Sequence, residues 1–573
     1  MKGRSFFARL RGPFAAAKTL RGRLALLGTL TYLAVQLAGT PGIGLTDDDD
    51  FYIPAGRTYS QWFERAVTGP FKGDTSAWSR GGVANAYNCG TCNREHPPLA
   101  KWAIGAGVHV LTDKLGAMPD YLAGRLGIVF LSTMLAYLLF RLAFDTYGAL
   151  AALFAQLALL TLPRFFFHSH APTLDVTVAA TYFLAVYAFW RARRSFGWGL
   201  FAGVAFGFAL LSKLNAPFML LPLCAYALLR VRGLRMEMGQ LRLPALNVAL
   251  PAMLVLGPIV FFALWPRLWF DTLRNLGEYI QFHLHHYGIY FYYFGHIYND
   301  VFAPWHAPFV MAGITTPIVT LGFGLGGAAM ALRDVLARVS PAVDPERAAD
   351  RRDLGLLALL NAATCIGVVA FAKVPKYGGV KLFLPFFPFL ALFAGVAFAR
   401  LVSVAMALWP RLALRPVMTG GAALMLAAAP AAIDLYRAHP YHLSYYGPLV
   451  GGLRGATSAG FERQYYDVLY LELADWLEQQ YGRGRDATRP DVRVHFLPNH
   501  KEYARTLPYL QKAGRVSHNI RLVGAVDQAD VLVLTHERRW REYPELFERY
   551  QARPVLWELA VDRVPLLTVY SLK

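Results

Sequence analysis

Apolar runs that approach or exceed the roughly 17 to 20 residues of a membrane-spanning helix recur along this chain, and they limit its fold more than any other feature. In a bilayer core only helices and closed barrels satisfy their own backbone, and runs of this length belong to helices. Of 573 residues, 55% are hydrophobic and 16% charged, more apolar surface than a soluble fold of this size buries. The excess faces lipid.

The basic residues fit the same picture. A formal charge of +20 would suggest nucleic acid in a soluble protein, but here the arginines and lysines sit in short blocks between apolar runs. That is the pattern of cytoplasmic loops. Lys2, Arg4, Arg9, Arg11, Lys18, Arg21 and Arg23, with no acid among them, place residues 1–23 in the cytoplasm. No cleaved leader is expected: the run from Leu24 is long for one, and Thr40-Pro41-Gly42 is a poor cleavage site.

The first span is expected at about 24–40. Others follow at about 121–141, 147–166, 173–190, 197–212, 215–230, 245–265, 307–331, 354–372, 382–407 and 417–433, about eleven in all. Counted from a cytoplasmic start, Arg191 to Arg194, Arg230 to Arg242 and Arg333 to Asp353 fall inside. Asp47 to Asp50, His168 to Asp175, Lys213 and Lys373 to Lys381 fall outside. Residues 41–119 form a polar outer loop, in which 99–112 is too short to span comfortably and reads as a helix lying at the interface. Residues 266–306 form a second outer loop, crowded with Tyr, Phe, Trp and His as suits the headgroup zone. His283, His285 and His286 are its densest histidines, with no acid beside them to complete an obvious metal set.

The membrane domain thus runs over 24–433, and the composition changes after Asp434. Strand-length runs at 492–497, 520–523, 531–534 and 565–570 alternate with charged, helix-like stretches at about 462–482, 500–513 and 539–551. Residues 434–573 therefore read as a small α/β domain outside the cytoplasm. Four cysteines give no disulfide framework. Cys224 and Cys365 read as packing residues. Cys89 and Cys92, in a loop outside the cytoplasm, suit a local disulfide; a zinc site with His96 would need two further ligands.

Candidate chemistry gathers on the outer side. Four successive aspartates repel one another, so at least one is a candidate for a raised pKa and proton abstraction; a solvated acidic turn or a weak cation site is the plainer reading. After them comes His96-Pro97-Pro98-Leu99-Ala100-Lys101. This segment resembles the His-Pro-Pro-Leu-Gly-Lys motif of the protein O-mannosyltransferases and the looser Pro-Pro-Leu of their bacterial relatives, which include the lipid A aminoarabinose transferase. These are membrane glycosyltransferases of the GT-C type, and Ala100 replaces their usual Gly. Asp48 and Asp49 stand where that family has an Asp-Glu pair, and Tyr52 favours Asp48 as the first acid. Asp175, after Arg164 and His168-Ser-His170, resembles the second acid. Lys381-Leu-Phe-Leu-Pro-Phe-Phe-Pro388 is similar to the family's Arg-Tyr-Leu-Leu-Pro, with Lys for Arg. Ser444-Tyr-Tyr-Gly447 followed by Gly451-Gly452 is similar to the segment leading into the soluble domain of many members.

The resemblance implies a GT-C fold and transfer of a sugar from a polyprenyl-phosphate donor to an acceptor hydroxyl on the periplasmic face of the inner membrane. Asp48 or Asp49 would take the acceptor's proton in one inverting displacement. Lys381, Lys101, Lys376 and Arg164 would offset charge on the leaving phosphate, with His96 bracing the Pro-Pro turn. Plainer roles compete: lysines near helix ends snorkel to headgroups, and Asp175 is placed to cap its helix. No cofactor is demanded, and the acids leave a divalent cation open. Two alternatives are a transporter, which would show broken helices in paired halves and charges at mid-depth, and a non-catalytic protein of polysaccharide assembly. Sugar, acceptor (protein, lipid or glycan) and the role of the C-terminal domain are not readable.

Overall fold

A computed structural model describes residues 19–231, 236–237, 240–241, 248–285, 287–337, 345–484, 488–536 and 544–573. The basic residues Lys2 to Lys18, the loop residues Arg232, Arg235 and Arg242, His286, and the first part of the expected 539–551 helix lie outside the described residues.

The chain is a multi-pass helical membrane protein. Six described helices are long and apolar enough to cross a bilayer, and four shorter apolar helices accompany them. Every expected span coincides with a helix or a pair of helices. The first is Leu20–Gly39, started by Thr19, whose side chain accepts from the Gly22 N–H. The 307–331 span is two helices, Ala307–Ile314 and Ile318–Leu336. Pro317 separates them, since it cannot donate to a continuing helix.

The two ends of the bundle carry different charge networks. At one end Arg21 and Arg191 both pair with Asp145, at 2.8 and 3.1 Å. Arg193 pairs there with Asp350 and Asp353, at 3.0 and 3.4 Å. At the other end lie the aspartate run, the Pro-Pro turn and the C-terminal sheet.

Residues 41–119 are more ordered than a polar loop. They fold into the helices Asp47–Thr68, Arg80–Tyr87 and Leu99–Gly107, the last continuing as a π-helical segment to Lys114. Gly56 and Gly105 sit where the first and last of these cross. A Cβ on Gly56 would lie 2.7 Å from the Lys101 carbonyl oxygen, so only glycine lets the helices approach. That crossing sets the Pro-Pro turn against the start of the aspartate helix.

The last membrane helix, Pro416–Ala438, runs past the expected boundary. Residues 439–470 then return to the membrane helices, and Val468–Leu469 pairs antiparallel with Leu45–Thr46. The sheet follows. Val492–Leu497 lies parallel to Val531–Thr535 and Ile520–Leu522, and Val564–Ser571 joins antiparallel between Val531–Thr535 and Val555–Val561. All five residues of the Val531–Thr535 strand are buried, as its unbroken apolar run implies. The strand Val555–Val561 and the hairpin Tyr290–Asn299 were not expected. Residues 462–470 are not helical; the helix begins at Leu471. The helix His500–Lys512 docks on the membrane part, with Lys512 Nζ 2.9 Å from Asp120 and Arg505 over the Phe51 ring.

Candidate functional site

The aspartate run opens a helix, where the N-terminal dipole favours negative charge. Successive residues on a helix point about 100° apart, so the four carboxylates part company. Asp49 turns back on its own helix end: it accepts from the Thr46 backbone N–H at 2.8 Å and the Thr46 hydroxyl at 2.9 Å. Arg125 stands 3.8 Å away, both side chains buried. Burial raises the Asp49 pKa against the pull of Arg125 and Thr46. Asp50 faces Arg505 of the C-terminal domain. Asp48 faces the bundle.

There it meets Tyr466, whose phenol feels the charge of the Asp48 carboxylate. Lys381 Nζ donates to the Tyr466 hydroxyl at 2.9 Å and lies 4.6 Å from that ring's centre. Burial, with the charges of Asp48 and Asp175 added, lifts the Tyr466 pKa far above its ordinary value. The phenol therefore stays protonated, accepting from the Lys381 ammonium near the Asp48 carboxylate.

Around this pair lies a cluster of cations. Lys213 Nζ is 2.6 Å from Asp175, and Lys381 acts on the same carboxylate. His168 Nδ1 stands 3.8 Å from Asp175, and its Nε2 is 2.9 Å from the Tyr465 hydroxyl. Arg164 is buried beneath them. Its Nε donates to the Tyr445 carbonyl at 3.2 Å, and its guanidinium lies over the rings of Tyr446 and Tyr465 at 4.5 and 5.3 Å. Among the described residues its two terminal nitrogens have no hydrogen-bond partner. Gly378 and Gly379, with φ of +67° and +56°, carry the chain over this guanidinium; a Cβ on Gly379 would lie 2.7 Å from Arg164 Nη1.

Lys101 and Lys376 are placed otherwise. Lys101 is wholly buried, and its Nζ donates to the backbone carbonyls of His96 at 2.7 Å, Cys92 at 3.5 Å and Asn93. Those contacts occupy an ammonium's three N–H groups and brace the turn before Pro97. Lys376 Nζ donates to the carbonyls of Phe371 and Val374, each at 2.9 Å. His96 packs beside Tyr52 with ring centres 6.3 Å apart, which joins the Pro-Pro turn to the Asp48 helix. A disulfide links Cys89 and Cys92 in the same turn. Among the described residues no group of three or more His, Cys, Asp or Glu is arranged to hold a metal.

The structure thus gathers Asp48, Asp175, Arg164 and Lys381, and adds Lys213, Tyr465 and Tyr466. Loop parity puts Lys213 on this face without marking its role. The two tyrosines gave no signal, because they lie in a stretch that reads as helix and reach the site only by the chain's return after residue 438.

The chain is similar in part of its sequence and in its fold to known proteins. The model of the dolichyl-phosphate-mannose-protein mannosyltransferase family matches residues 95–272, a stretch holding His96, Arg164, Asp175 and Lys213. ArnT from Cupriavidus metallidurans in the apo state is similar over 95% of this chain and 97% of its own, at 15% identity and a TM-score of 0.50. The chain has the GT-C fold. ArnT bound to undecaprenyl phosphate is similar at 16% identity and a TM-score of 0.49, over 95% of this chain and 97% of its own. An Archaeoglobus fulgidus oligosaccharyltransferase is similar at 13% identity and a TM-score of 0.44, over 90% of this chain and 65% of its own. No match was found among curated proteins. Within this GT-C chain, Asp48 and Lys381 lie outside the stretch that the family model matches, so their place rests on the geometry above.

Proposed function

We propose that this chain is a membrane glycosyltransferase that moves a sugar from a polyprenyl-phosphate donor to an acceptor hydroxyl. The observation that carries the reading is the placing of one carboxylate, Asp48, near three cations, the buried Arg164 and the partly buried Lys213 and Lys381. The matched family takes its name from dolichyl-phosphate-mannose, a donor of this class.

Asp48 takes the proton of the acceptor hydroxyl as that oxygen bonds to the anomeric carbon. The bond from that carbon to the phosphate oxygen breaks, its electron pair stays with the phosphate, and the configuration inverts. The phosphate passes from one negative charge toward two, and the cations offset the growth in a site screened from water. Arg164 supplies the two free N–H forks, a geometry matched to phosphate oxygens. Asp175 holds Lys213 in position.

The site works on the periplasmic side of the inner membrane, where nucleotide sugars are lacking and a lipid carrier presents the sugar. The opposite end, with Arg21, Arg191 and Arg193, is cytoplasmic. Residues 24–438 form the membrane unit, 439–470 complete its site, and 471–573 form the soluble domain. The test is transfer from a radiolabelled polyprenyl-phosphate sugar to envelope acceptors in proteoliposomes holding the full chain. Wild type transfers label and Asp48→Asn loses it by about a hundredfold or more; equal transfer by both would reject Asp48 as the base.

A further inference from the structure

Beside the Pro-Pro turn a cleft of about 440 Å³ opens to the surface, within the range of ligand pockets of about 300 to 1,000 Å³. Arg94, Glu95, Arg267, Glu278, Gln281 and Phe282 line it. Its two arginines are matched by two glutamates, with His285 beside them. Arg267 is buried, with Nη2 donating to Glu278 at 2.6 Å and Nη1 to the Arg94 carbonyl. Its Nε–H is buried and has no acceptor among the described residues, and a buried donor without a partner is costly. The cleft is therefore lined by carboxylate acceptors and an amide beside an aromatic ring, over a buried arginine that keeps one N–H without an acceptor among the described residues. Alternating donors and acceptors next to a ring face suit a polyhydroxylated, uncharged molecule.

The cleft adjoins the site. Phe282 packs edge-on to His96 at 5.8 Å between ring centres, and His96 lies beside Tyr52 at 6.3 Å. Tyr52 in turn feels the charges of Asp48 and Asp175. Three side chains in succession, Phe282, His96 and Tyr52, lead from the cleft to the candidate base. We infer that this cleft seats the acceptor, and that the acceptor is a neutral glycan, free or as a glycolipid headgroup, rather than a polypeptide. This inference rests on the transferase reading only for the word acceptor; the binding chemistry stands apart from it.

The experiment is binding of the detergent-solubilised full chain to an array carrying neutral glycans, Ser/Thr-rich peptides and phosphorylated sugars. Signal is expected on neutral glycans, weakened at least tenfold by Gln281→Ala and by Phe282→Ala. Thermal midpoints of both variants show that they are folded. Signal only on peptides or phosphorylated sugars, no signal, or glycan signal that survives both substitutions would overturn the inference. Glycan binding without any donor turnover by wild type would reject the transferase reading and leave the glycan site standing. If free oligosaccharides and the same glycans on vesicles bind alike, recognition is of the glycan itself. Binding only on vesicles assigns it to a glycolipid headgroup.

Discussion

Lys213 Nζ lies 2.6 Å from the Asp175 carboxylate, and both side chains are largely buried. Two opposite charges taken from water at this distance depend on each other: removing one strands the other at a cost of about 3 to 5 kcal/mol. Lys213→Met is therefore expected to lower the thermal midpoint of the solubilised protein by several degrees. The double variant Lys213→Met, Asp175→Asn recovers most of that loss because no lone charge remains. Transfer activity stays low in both, since the phosphate has lost a cation. Recovery of activity along with stability would show that the pair serves the fold alone.

Asp48 and Asp49 are adjacent in sequence and opposed in role. Asp49 caps its helix through Thr46, and an asparagine oxygen can accept the same bonds, so Asp49→Asn is expected to keep most transfer activity. Asp49→Ala loses the cap, worth about 1 kcal/mol, and also leaves the buried Arg125 without its carboxylate, so the loss of stability exceeds that of the cap alone. Asp48→Asn keeps the melting behaviour of wild type and loses transfer. Measuring transfer per folded molecule across the three variants checks the division. Equal losses for the two asparagine variants would mean that both carboxylates reach the acceptor.

Much of this was legible beforehand because membrane folding writes itself into composition. Apolar runs located the helices, and loop charge sorted Arg193 from Lys213. The strands at 492–497 and 531–534 stood out as short apolar runs between charged helices. What failed to show is long-range. Tyr465 and Tyr466 belong to the site because Val468–Leu469 pairs with Leu45–Thr46 more than 400 residues earlier, and pairing at that separation leaves no local period to read. Lys101 and Arg164 look equally suited to bind phosphate in sequence. Only their neighbours distinguish them: three carbonyls around one, free N–H groups on the other. The 99–112 helix was legible, but the stretch hid Asp47–Thr68 and Arg80–Tyr87, whose buried faces use Tyr, Trp, Ala and Gly rather than Leu.

The lysine in the Pro-Pro turn makes a direct test of that distinction. With Lys101→Met the part-buried carbonyls of Asn93 and His96 lose their donor, each at about 1 kcal/mol. The thermal midpoint should fall and the Cys89–Cys92 disulfide should be reduced faster by dithiothreitol. A variant with unchanged melting but a raised donor KM would instead place Lys101 on the phosphate.

The C-terminal domain carries its own pH response. Asp530 accepts from the Arg493 backbone N–H at 3.0 Å, from its guanidinium at 2.9 Å, and from Lys573 at 2.9 Å. These partners, the Arg493 bonds first, hold its pKa well below the usual carboxylate value. The unfolded chain takes up the proton near pH 4, before the folded one does. Its contribution is therefore complete above the unfolded value and is lost as pH falls toward the folded one. Unfolding of the domain, followed through Trp476 and Trp557, which stack at 5.7 Å, should become easier as pH drops below about 4. Asp530→Asn should unfold more readily at neutral pH and show a flatter slope below it. A variant with the wild-type slope would assign the acid response to groups other than Asp530.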